Sequence, residues 1–132
     1  MTTRCAPLAD QVELLDADGT SAVATAKVDP GDPVFTGHFP GFPVLPGVYL
    51  VELVGQTVRA ALGERHRPEL AAMDRCRFLS PVAPGDDLRI EAALSWSGPE
   101  LRCTARISTG RGPAAELRLR YRPEENRPEE NR

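Results

Sequence analysis

The segment from Pro46 to Gly63 constrains the fold most. It reads PGVYLVELVGQTVRAALG. Val48, Leu50, Val51, Leu53, Val54, Val58, Ala60, Ala61 and Leu62 fall on most sides of a helix over 47–63, and a helix apolar nearly all round is a buried one. Pro46 and Gly47 suit its start. Gly63 suits its end, with Arg59 and Arg65 near the negative pole of the helix dipole. A chain of 132 residues is the length of one domain. The rest of the chain must then wrap around this helix.

The rest reads as strands. Residues 10–16 and 20–29 flank an Asp-Gly turn at 18–19. Residues 69–80, 87–96, 100–109 and 113–121 follow the helix, separated by the turn signals APGD, SGP and GRGP. In the last three, apolar residues alternate with arginines and other polar residues: Leu88, Ile90, Ala92 and Leu94; Leu101, Cys103, Ala105 and Ile107; Leu117, Leu119 and Tyr121. One face of the sheet is therefore apolar and the other arginine-rich. The expected fold class is α+β, an antiparallel sheet wrapped around one long helix. A single domain is expected over 1–122. The tandem repeat PEENRPEENR at 123–132 has no apolar anchor and reads as a disordered tail.

Charge and cysteines exclude several classes. The net charge of −3 gives no reason to expect nucleic-acid binding. No apolar run is long enough to span a bilayer, and MTTRCAPLAD has no secretory apolar core. Cys5, Cys76 and Cys103 are odd in number and lack CxxC spacing, as expected of free thiols in a reducing cytoplasm. Two histidines, His38 and His66, without paired cysteines or an aspartate cluster make a poor ligand set, so no metal or other cofactor is expected. His66 reads as an exposed loop residue.

Two polar groups interrupt the helix. Glu52 and Gln56 are four residues apart and share a face. If that face is buried, the amide orients the carboxyl and desolvation keeps a proton on it. If it meets water at a groove, Glu52 is an ordinary solvated acid. His38 lies fourteen residues earlier, in a segment where Pro40, Pro43 and Pro46 fix three φ angles within seven residues. Such rigidity suits a base whose position must not drift. Gly47 offers an N–H at the positive end of the helix, suited to a developing oxyanion. Base, acid and oxyanion donor are the parts needed to eliminate water from a carbonyl compound.

The stretch GHFPGFPVLPGVYLVELVGQ, residues 37–56, resembles the signature of the 3-hydroxyacyl-acyl carrier protein dehydratases of the hot-dog fold. Downstream, RCRFLSPVAPGDDL at 75–88 resembles that family's strand, Pro-Gly-Asp turn and next strand. The resemblance covers about residues 8–122. It implies that His38 is the catalytic histidine and Glu52 the catalytic acid. Gln56 would contact that acid, the Gly47 N–H would face the thioester oxygen, and the Val44 carbonyl would hold the histidine ring. Phe42 and Tyr49 stand where the family varies and would bear on the shape of the substrate tunnel. A glutamate at 52 points to the branch that dehydrates without isomerising.

The activity implied is dehydration of (3R)-hydroxyacyl thioesters to trans-2-enoyl thioesters, in fatty acid or polyketide biosynthesis. The substrate would arrive on the phosphopantetheine arm of an acyl carrier protein. Carrier proteins of this kind are acidic, so Arg59, Arg75, Arg77, Arg102 and Arg106 are candidate docking residues. In this family the histidine and acid of one site come from different subunits, which implies a dimer. Two other readings remain open: one half of a heterodimeric dehydratase completed by an unlike hot-dog subunit, and a hot-dog acyl thioesterase.

Overall fold

The computed structural model describes residues 12–29, 31, 46–63 and 66–125. The elements in chain order are β1 (Val12–Ala17), β2 (Ser21–Lys27), α1 (Gly47–Leu62), β3 (His66–Phe78), β4 (Asp87–Ser97), β5 (Glu100–Thr109) and β6 (Gly112–Glu125). The strands form one sheet in the order β1-β2-β4-β5-β6-β3, with every neighbouring pair antiparallel. The path from β2 through α1 to β3 therefore runs from near one edge of the sheet to the other, and α1 lies across one face.

Alternation decides which face that is. Leu88, Ile90, Ala92 and Leu94 of β4 and Leu101, Cys103, Ala105 and Ile107 of β5 are all buried, while the residues between them are exposed. They form one core with Ala24 and Ala26 of β2, Leu117 and Leu119 of β6, and Leu50, Leu53, Val54 and Val58 of α1. The opposite face carries the arginines. There Arg120 grips Asp74 through two nitrogens and also reaches Glu100, and Arg77 lies 3.5 Å from Glu116.

The helix ends as the sequence predicts. Gly63 takes φ +88, a value that side chains rarely adopt, and its N–H donates to the Arg59 carbonyl at 3.1 Å. Three expectations change. The helix is not buried all round: Val48 is 68% exposed, and Glu52, Arg59 and Ala60 face outward. A single sheet covers only one side of a helix, so the remaining apolar stripe has no cover among the described residues. The ladder also reaches further than side-chain polarity suggested. β6 continues to Glu125, where residues 123–125 pair with 68–66, so the segment expected to be disordered begins in a strand. Ladder bonds are made by backbone groups and do not require apolar side chains. For the same reason His66 opens β3 and does not sit in a loop. Residues 126–132 lie outside the described ones.

Candidate active site

Helix α1 carries the polar groups that the sequence singled out. Gln56 donates from Nε2 to Glu52 Oε2 at 3.5 Å, the contact that a four-residue spacing allows. The burial is the reverse of what desolvation of the acid required. The amide is 6% exposed, while the Glu52 side chain is half exposed. Glu52 thus faces outward in the single chain, closer to the second of the two sequence alternatives. Arg59 Nη2 lies 3.8 Å from the same Glu52 oxygen. Sequence reasoning took Arg59 only as a dipole partner and docking candidate; its spacing of seven from Glu52 was the signal that it shares the acid's face.

Gly47 opens the helix, and no side chain caps it. Its hydrogen stands where any side chain would collide with the Phe78 ring, since an added Cβ would lie 2.7 Å from Cζ. A side chain there would have to displace the exposed Phe78 ring. Phe78 was not singled out in the sequence. Tyr49 is half-buried against the core at the same end of the helix. Thr57, fully buried, returns its hydroxyl to the Leu53 carbonyl at 2.9 Å and so satisfies itself within the helix. His38, Phe42 and Val44 lie outside the described residues.

Tyr121 of β6 was likewise not singled out as a site residue. Its side chain is 2% exposed, and its hydroxyl has no hydrogen-bond partner among the described residues. That oxygen comes within 3.7 Å of where a side chain at Gly55 would begin. Burial pushes the phenol above its ordinary value, Cys103 and Glu52 add to the rise, and Arg59 opposes it. Both charges on the helix therefore act on this hydroxyl.

The far end of the sheet is clamped. Arg111 donates to both Asp86 oxygens, at 2.9 and 2.7 Å, and to the Pro81 carbonyl at 3.2 Å. Asp86 accepts from the Ala83 N–H at 2.8 Å, and the turn it closes binds Val28 through both backbone groups. Arg111 holds the Asp86 carboxyl below its ordinary value of 3.8 against the opposing effect of burial, helped by the Ala83 N–H. This clamp fixes the exit of β2.

The docking arginines separate. Arg75, Arg77, Arg102 and Arg106 lie on the sheet face away from α1, and only Arg59 shares the helix with Glu52. A groove of about 600 Å³ on that outer face is lined by Arg75, Arg77, Arg106 and Arg118 with Glu91 and Glu116, and among the described residues it includes neither Gly47, Glu52 nor Gln56. Among the described residues no group of three or more histidines, cysteines or acids is placed to hold a metal ion, and no helix is long and apolar enough to cross a membrane.

Comparison with known proteins converges on one family. The family model described as ApeI dehydratase, of the ApeI-like group, matches residues 15–122. A protein of Pelotomaculum thermopropionicum named 3-hydroxyacyl-[acyl-carrier-protein] dehydratase FabZ is 38% identical over 112 residues, covering 79% of each chain. Among solved structures, the dehydratase heterocomplex ApeI:P from Xenorhabdus doucetiae superposes with a TM-score of 0.68 at 22% identity, over 79% of this chain and 88% of that one. A hot-dog-like protein from Thermanaerovibrio acidaminovorans gives 0.64 at 17% identity, over 82% and 83%.

Proposed function

The chain belongs to the ApeI-like dehydratases, and from that membership we propose that it removes water from 3-hydroxyacyl thioesters carried on an acyl carrier protein, giving 2-enoyl thioesters. The observation that carries the reading is the Glu52–Gln56 pair on a helix that opens at Pro46-Gly47. That is the arrangement the sequence motif requires, and it stands within a fold shared with hot-dog proteins.

In this mechanism His38 removes the α-proton. The charge that develops on the thioester oxygen is met by the Gly47 N–H at the positive end of α1. Glu52 supplies the proton with which the hydroxyl leaves as water, or orients that hydroxyl while the imidazolium formed on His38 supplies that proton. Val44 holds the imidazole through its carbonyl, and Phe42 and Tyr49 shape the acyl tunnel.

A dimer completes the site. Strand β3 is an edge strand of thirteen residues, and such an edge offers unpaired backbone groups to another chain. Leu70, Met73 and Phe78 pair with inward-facing residues of β6, yet they are exposed, as is Val48 on the helix. A second copy or a related hot-dog subunit laid along β3 would cover this apolar surface and supply the opposite half of each site.

The histidine assignment is tested by His38→Ala. Turnover should fall by about 10²–10⁴-fold, the usual contribution of a general acid–base group, with the fold retained by circular dichroism. Turnover within about tenfold of wild type would remove His38 from the role of base.

A further inference from the structure

The contacts of Glu52 point to one more member of the site. Gln56 and Arg59 both address Glu52 Oε2, at 3.5 and 3.8 Å, and among the described residues nothing addresses Oε1. Positions 52, 56 and 59 are spaced by four and seven residues and share one helix face. Side chains on a helix lean toward its N-terminus, so Arg59 reaches back along the axis toward Glu52 without strain. Its charge lies in the last turn of α1, where the helix dipole favours a cation. Between the two, Gly55 carries no side chain, and the Tyr121 hydroxyl closes the floor beneath it. Among the described residues the Glu52 carboxylate is thus held from one side only.

We propose that Arg59 is a positioning residue of the dehydration site, holding Glu52 by Oε2 so that Oε1 is turned to the substrate hydroxyl. This rests on the dehydratase reading and on Glu52 as its acid. Arg59 does not touch substrate in this role; it acts through the carboxylate. The contact is half exposed in the single chain, so its weight lies in orientation and not in stability. Orientation is a sensitive quantity, since a misplacement of about 1 Å at a reacting group can cost on the order of 10²-fold in rate.

The test compares Arg59→Met and Arg59→Lys with wild type on two substrates, a 3-hydroxyacyl thioester on acyl carrier protein and the same acyl group on free pantetheine. Arg59→Met should lower kcat by about 10–100-fold on both, with KM changed by less than about threefold, because the lost interaction serves the transition state and not binding. Arg59→Lys should recover part of kcat, since the ammonium keeps the charge but not the fork. Unchanged kcat in Arg59→Met overturns the proposal. A rise in KM confined to the carrier substrate, with kcat retained, also overturns it and makes Arg59 a docking residue. If wild type dehydrates neither thioester, the dehydratase reading itself falls and the proposal falls with it.

Discussion

Tyr121 shows how a residue's environment can decide a prediction that its type does not. Its hydroxyl is enclosed and has no partner among the described residues, so it carries a desolvation cost without a compensating bond. Tyr121→Phe should raise stability by about 1 kcal/mol in urea unfolding. A loss of stability would mean that the hydroxyl finds a partner in the assembled protein. Glu52 teaches the complementary lesson. Its position opposite Gln56 was legible from spacing alone, because helix periodicity fixes which residues share a face. Its exposure was not, because that depends on what covers the helix, and the residues of α1 do not carry that information. The apolar neighbours Val48 and Val51 suggested burial by this chain, whereas the sheet covers the other side of the helix.

At the scale of elements, β4 and β5 were legible almost to the residue, since strict alternation of apolar and polar side chains marks a half-buried strand. β3 and the end of β6 were less so. β3 shifts register between Leu70 and Ala72 and again between Met73 and Arg75, and each irregularity breaks the period-two pattern. The turn between β3 and β4 was read as punctuation, yet it is the part that Arg111 ties down. That tie has a pH signature of definite sign. The folded protein holds Asp86 below 3.8, so the contribution is fully present above that value and is lost as pH falls through the lowered one. Arg111→Met should therefore melt at a lower temperature than wild type near pH 6, and the gap should narrow below about pH 3.8. A gap that stays constant as pH falls through that range would show that Arg111 stabilises the turn by packing and not through the Asp86 carboxylate.

For the whole molecule, the proposed mechanism needs an assembly in which one chain's histidine meets another chain's acid. Mixing inactive His38→Ala with inactive Glu52→Gln should restore activity, because a mixed dimer contains one site with both groups intact. No recovery, once subunit exchange is demonstrated, would mean that each chain holds a self-contained site. The exposed apolar residues along β3 and the Val48 side of α1 are the surface that the proposed dimer would bury. Dehydration itself is tested by incubating the pure protein with a 3-hydroxyacyl thioester on acyl carrier protein and measuring the mass of the carrier. The expected result is a carrier-bound product lighter by one water. Release of free acid with unloaded carrier would contradict dehydration and identify a thioesterase, and an unaltered substrate would contradict it as well, leaving this chain at most a half-site that an unlike subunit completes.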